Sequence, residues 1–403
     1  MSERVARVHS LEEAGRAPTQ MYVDPRFLPL ADAFFALYRS PQHGGGALSA
    51  YLDGELVLDI WAGWADRDRR WNRDTVALSF STGKGVASTV LHRLAERGVL
   101  DYDEPVATYW PEFGAAGKGR ITVRDMLTHR SGLHRVRGLV SGRRALLDYD
   151  TVVAALAAGT PDPRRLDGPG YHAVTFGWLV AETVTRVTGR DFVDVVRDEI
   201  ARPLGVEEFW YRVPRDQRYR IAKLFPHINP GGMPWEVTSS VLSRVGPLSG
   251  LAEAAMPDGF DELVRDPDVH DAVMPGWNGV FTARALAKMY GAIANDGVVD
   301  GRRFLRSETL AQMGTTQTRQ RDYVLRAPIH WRLGYHPVFL AKRSQPRYAF
   351  GHYGVGGSGA YADPETGLSL GYVTNRMGNA VTALGDLRLA RLGAVAQELV
   401  ARP

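Results

Sequence analysis

The sequence predicts an α+β fold: an antiparallel sheet flanked by N- and C-terminal helices, with an all-helical region inserted between its strands. Three observations predict it. Strand patterns lie at both ends of the chain, helical periodicity fills the middle, and an amphipathic helix stands near each terminus. The simplest assembly pairs an N-terminal hairpin with the C-terminal strands and lays both terminal helices on one face. This divides the chain into a discontinuous sheet domain, 1–80 and 275–403, and a mainly helical domain, 81–274. A cleft between two such parts is a natural place for chemistry.

Residues 1–25 read as an arm, and 28–38 (LPLADAFFALY) as an amphipathic helix. Ala47–Leu52 and Glu55–Trp61 are strands joined by Asp53-Gly54, a strong hairpin signal. Thr82–Arg97 carries Val86, Val90, Leu91 and Leu94 at helical spacing, with Gly98 as a stop. Further helices are expected over 123–128, 148–158, 176–188 and 191–200, separated by Pro/Gly-rich loops such as 225–235. Residues 282–295 form another helix, opened by Thr282 and closed near Gly297. Strand character returns at Arg347–Tyr353, Gly359–Ala362 and Leu368–Thr374, the last two flanking the turn Asp363-Pro364-Glu365-Thr366-Gly367. Residues 383–400 are the closing amphipathic helix.

The composition narrows the function classes. With 44% apolar and 23% charged residues over 403 positions, the chain is globular. A net charge of +4 without a Lys/Arg run among aromatics gives no support for nucleic-acid binding. There is no cysteine, which excludes disulfides and thiolate catalysis. The N-terminus lacks an apolar signal segment, and no apolar stretch is long enough to span a bilayer. A cytoplasmic protein is the expectation. Oligomeric state is left open.

The most informative motif is Ser81-Thr82-Gly83-Lys84. A lysine three residues after a serine on a helix shares its face. Held neutral, that lysine can take the serine's proton and make it a nucleophile. The helix start also supplies free N–H groups for an oxyanion. The alternative is a serine N-cap followed by an exposed lysine. Lysine is scarce here, 5 against 44 arginines, so one match carries modest weight alone. A phosphate loop is rejected: Leu78 stands where its first glycine belongs, and Gly85 replaces the magnesium-binding Ser/Thr.

Two other boxes matter. In GPGYHAVTFGWL, Tyr171 precedes a helix; beside an ammonium its phenol can act as a phenolate-like base, or it can be a buried structural tyrosine. Its neighbour His172 is a rival general base, but with Lys84 and Tyr171 supplying the proton chemistry it reads as a hydrogen-bonded structural imidazole. In FGHYGVGGSG, His352 can offer a donor at a strand's end, and Gly354 lets backbone approach a ligand. His129 and His134 lack a metal-binding arrangement, so neither metal nor cofactor is expected.

Taken together, Ser81-x-x-Lys84, Tyr171 before a Gly-Trp helix, and His352-Tyr353-Gly354 resemble the serine β-lactamase-like superfamily. Its members include class C β-lactamases, D-Ala-D-Ala carboxypeptidases and family VIII carboxylesterases. Residues 121–133, 277–297 and 363–377 resemble family segments too, so the likeness spans roughly 30–400. It implies that Ser81 is acylated, that Lys84 and Tyr171 move the proton, and that the N–H groups of Ser81 and Val355 form an oxyanion hole. It also places His352-Tyr353-Gly354 where many relatives have Lys-Thr-Gly. Two departures stand out. His172-Ala173 follows Tyr171 where β-lactamases of the tyrosine type have an asparagine two positions on. At 352, a mostly neutral histidine replaces a lysine, and it would gain charge only towards about pH 6.

Both departures point to uncharged short- or medium-chain carboxylic esters as the small-molecule substrate and to the carboxylesterase branch. A β-lactamase or D-amino-acid peptidase, an acyltransferase, and a non-enzymatic binding protein are the competing readings. Trp210, Phe225, Met233, Trp235 and Trp277 are candidates to line an acyl pocket.

Overall fold

The computed structural model describes residues 20–39, 44–163, 168–225, 249–257, 260–377 and 387–401. Its centre is a seven-stranded, wholly antiparallel sheet. The strands are β1 (Tyr22–Val23), β2 (Gly45–Leu52), β3 (Glu55–Gly63), β9 (His336–Pro337), β10 (Phe350–Tyr353), β11 (Gly359–Asp363) and β12 (Leu368–Thr374). They lie in the order β1-β3-β2-β12-β11-β10-β9. The N-terminal hairpin therefore meets the C-terminal strands through β2 and β12, with Ala50 opposite Leu370. Asp53 and Gly54 both take positive φ, 51° and 84°, as a two-residue hairpin turn requires.

Side-chain alternation gives the sheet two buried faces. On one, Leu368, Leu370 and Tyr372 of β12 pack with Leu30 and Phe34 of the N-terminal helix (Leu28–Ala36) and Leu389 and Leu392 of the C-terminal helix (Leu387–Val400). The expected single-face cover by both terminal helices is what forms. On the other face runs helix Ala283–Ala294, capped by Thr282, whose Oγ1 accepts from the Ala285 N–H at 3.1 Å. Ser369 Oγ donates to Ala287 O of this helix at 2.8 Å. Arg284 on the same helix donates to Asp59 of β3 at 2.7 Å, inside the core.

Beyond that helix lies the inserted region: Gly83–Glu96, Val123–Leu127, Tyr149–Ala158 and Thr175–Thr188, sharing one apolar core that includes Leu91, Met126, Leu156 and Trp178. Expected helix 191–200 starts from an Asp191 cap and changes to a π turn at Arg197–Ala201. The region also contributes a strand. β5 (Phe209–Trp210) joins β4 (Ala77–Leu78) and β6 (Val280–Phe281) in a small sheet, and β7 (Val298–Val299) pairs with β8 (Arg302–Arg303).

Two expectations need correction. The end of the supposed arm is β1, paired with β3 through Tyr22–Asp59 and Val23–Leu58; residues 1–19 lie outside the described residues. The strand expected from Arg347 begins only at Phe350. The carbonyls of Arg347 and Tyr348 accept from the Arg332 guanidinium, at 3.1 and 2.9 Å, instead of a neighbouring strand. Among the described residues no helix is long and apolar enough to cross a membrane.

Candidate active site

Ser81 sits in a tight 3-10 turn, Phe80–Thr82, that leads directly into helix Gly83–Glu96. Phe80 has φ +48°, a left-handed conformation disfavoured for a bulky residue. Its ring meets Trp277 edge-on at 5.5 Å, which holds the turn in place. Strain of this kind persists only where packing over-determines it.

The turn brings Lys84 back onto Ser81. Lys84 Nζ lies 2.8 Å from Ser81 Oγ, 2.5 Å from Ala173 O and 2.6 Å from Gly276 O. The lysine is fully buried. Burial pushes its ammonium well below the ordinary value; the two carbonyls oppose part of that shift. With those carbonyls taking two N–H bonds, a neutral amine presents its lone pair to Ser81.

Two glycines let these carbonyls converge. A Cβ on Gly177 would stand 1.8 Å from the Gly276 nitrogen, and one on Gly276 would stand 2.6 Å from Val174 O. Only paired glycines allow the start of helix Thr175–Thr188 to touch the 275–277 segment this closely.

Tyr171 approaches Ser81 from another side, donating to its Oγ at 3.0 Å. Its pKa is pushed up, chiefly by burial, with the nearby Asp322 charge adding to the rise and the bond to Ser81 opposing it. Burial thus favours the neutral phenol over a phenolate at Tyr171. Lys84 Nζ lies 5.3 Å from its ring centre, and the two groups meet through Ser81. Trp331 stacks on the phenol at 5.3 Å and 13°, while His129 meets it edge-on at 5.0 Å.

His172 is buried and hydrogen-bonded away from Ser81. Its Nε2 lies 2.7 Å from Ser131 Oγ and accepts from the Leu133 N–H at 3.2 Å. Thr175 Oγ1 donates to Leu133 O at 2.7 Å. These bonds hold the loop that aims Ala173 O at Lys84. Burial pushes the His172 pKa down to about 3.

On the sheet side, strand alternation separates His352 from Tyr353. The His352 ring faces Tyr171 at 6.3 Å. Tyr353 turns to the opposite face and packs near Leu389, so its side chain is not brought to Ser81. The donor expected at His352 is also corrected. Its Nδ1 lies 3.1 Å from Tyr353 O. A carbonyl only accepts, so the proton of the neutral ring is used there. Nε2, buried and without a hydrogen-bond partner, is left as an acceptor. Burial, followed by the neighbouring His336, pushes the His352 pKa well below its ordinary value, which favours the neutral ring. His336, which sequence reasoning missed, repeats the pattern: Nδ1 on Pro337 O at 2.8 Å, Nε2 accepting from the Tyr353 N–H at 3.1 Å.

Gly354 closes the site. A Cβ there would lie 2.4 Å from Ser79 O and 3.1 Å from Thr82 Oγ1. The end of β10 thus touches the turn that carries Ser81. The Gly354 N–H donates to Ser358 O at 2.8 Å, and the Gly357 N–H to Gly354 O at 3.0 Å, fixing the turn that carries Val355. Of the expected pocket residues, Trp277 abuts Phe80, whereas Trp210 is buried in β5 under Arg220. Met233 and Trp235 lie outside the described residues. No group of three or more His, Asp or Glu suited to a metal occurs among the described residues.

The family model named Beta-lactamase matches residues 30–395. The chain belongs to the beta-lactamase family. Within it, the chain is 38% identical over 390 residues to the esterase/beta-lactamase LipL of Mycobacterium tuberculosis, covering 94% of this chain and 87% of that protein. A solved family VIII carboxylesterase superposes with a TM-score of 0.82 at 32% identity, covering 94% of this chain and 99% of the other. A penicillin-binding protein homologue from Caulobacter crescentus gives a TM-score of 0.78, also at 32% identity, with 94% and 98% covered. The beta-lactamase family is thus matched across the sheet and the inserted helices alike.

Proposed function

We propose that this chain is a serine hydrolase that cleaves uncharged short- or medium-chain carboxylic esters through an acyl-enzyme on Ser81. One observation carries the reading: Ser81 Oγ lies between the fully buried amine of Lys84 at 2.8 Å and the neutral phenol of Tyr171 at 3.0 Å. Names of relatives that include esterase and carboxylesterase support the same class.

In this reading Lys84 takes the Ser81 proton as Oγ attacks the ester carbonyl. The N–H groups of Ser81 and Val355 stabilise the oxyanion. Tyr171 protonates the departing alkoxide and takes a proton back from the Lys84 ammonium, which returns both groups to their resting forms. Water then repeats the sequence in reverse and frees Ser81 with a carboxylic acid as product. The site lies between a sheet domain (1–80 and 275–403) and a helical domain (81–274).

His352 supports the preference for uncharged substrates. A neutral ring with its lone pair unspent repels a carboxylate, where a lysine would attract one. The test is kcat/KM for p-nitrophenyl butyrate against nitrocefin at about pH 7–8. A higher value for the butyrate is expected. A higher value for nitrocefin would replace the esterase reading by a β-lactamase one.

A further inference from the structure

We propose that Asp322 is a positioning residue for Tyr171, gripping its backbone directly and its ring through Trp331; this rests on the reading of Tyr171 as the proton donor above. Asp322 is fully buried. Its Oδ1 accepts from the backbone N–H of Tyr171 at 3.2 Å, and from those of Val324 and Leu325 at 2.9 and 2.8 Å. Its Oδ2 accepts from Trp331 Nε1 at 2.9 Å. The same indole is the plate stacked on the Tyr171 phenol.

All four partners are N–H donors, so the group they fit is a carboxylate, which only accepts. Charge-assisted bonds of this kind are stronger than neutral ones. The loop is closed on itself as well: Asp322 N–H donates to Ala327 O, and Arg326 N–H to Asp322 O, both at 2.8 Å. Tyr323 N–H donates to Pro169 O at 2.9 Å, two residues before Tyr171. One buried carboxylate thereby ties three separate segments together, and two of them fix where the phenol oxygen stands. A misplacement of about 1 Å in a catalytic group can cost on the order of 100-fold in rate.

An asparagine at 322 keeps the shape but offers an NH2 group to the indole N–H or to the backbone donors, so at least one donor loses its partner. The experiment is a cycle of D322N, Y171F and the double variant, each read with p-nitrophenyl butyrate and checked by thermal unfolding. D322N is expected to lower kcat by about 10-fold or more with KM changed less than about 3-fold, because the effect falls on the reacting step. In the Y171F background the same change is expected to cost less than about 2-fold, because the group being positioned is already gone. An equal loss in both backgrounds, or no loss in D322N, would overturn the role of Asp322. Wild-type activity in Y171F alone would instead overturn the proton-donor reading. Should D322N not fold, W331F, which keeps an aromatic plate and removes the indole donor, is put through the same cycle with the same two outcomes.

Discussion

At Ser81 one hydroxyl oxygen is shared between a buried amine and a phenol, and each partner has a separable chemistry. Arginine cannot give up its proton, so Lys84→Arg is expected to lose activity nearly as fully as Lys84→Ala. An active Lys84→Arg enzyme would remove Lys84 from the base role. Tyr171→Phe deletes only the donor at 3.0 Å, and general acid–base assistance of this kind is worth roughly 10²–10⁴ in rate. Steady-state kinetics on a p-nitrophenyl ester checks both. At 352 the expectation is a change of selectivity: His352→Lys restores a cation and is expected to raise kcat/KM for acidic substrates relative to neutral ones. In the unaltered protein, acidifying to about pH 6 is expected to bring no such gain, because burial keeps the ring neutral.

At the scale of elements, the decisive contact is between the end of β10 and the turn of Ser81. Gly354→Ala would put a methyl 2.4 Å from Ser79 O, and backbone cannot yield there without moving one turn away from the other. If Val355 supplies an oxyanion donor, this variant is expected to lose about 10²–10³ in kcat. A Gly354→Ala enzyme with wild-type kcat would argue that Val355 contributes nothing. The serine and lysine were legible in the sequence because they are three residues apart, a local pattern. The hairpins were legible because Asp53-Gly54 and Gly367 signal turns. The two-residue strands β1 and β4 to β9 were not, since two residues carry no alternation. The carbonyls of Ala173 and Gly276 were invisible for another reason: a backbone acceptor leaves no mark in residue type. Asp322 is 151 positions from Tyr171 and met no motif, so only the folded chain brings them together.

Across the whole molecule, neutral histidines are buried around the site and beneath it. Burial holds His92 and His336 at about 4 and His172 at about 3. Each has a folded pKa below its unfolded value near 6.5. The unfolded chain therefore binds protons that the folded chain refuses, and stability is lost as pH falls from about 6.5 towards 4. Each such histidine contributes up to about 1.4 kcal/mol per pH unit in that window. Thermal unfolding at steps between about pH 7.5 and 5 is expected to show a falling midpoint; a flat profile would contradict the neutral, buried assignment. Farther from the chemistry, Asp59→Ala leaves Arg284 without its buried carboxylate and is expected to destabilise the fold by roughly 3–5 kcal/mol in urea unfolding. On the proposed reading, a sheet and a helical layer meet at a single activated serine. The most direct test is the intact mass of the protein after incubation with a fluorophosphonate, followed by peptide mapping. One adduct on Ser81 in the native chain and none in Ser81→Ala is the expected result. An adduct on another residue, or one that persists in Ser81→Ala, would contradict the account.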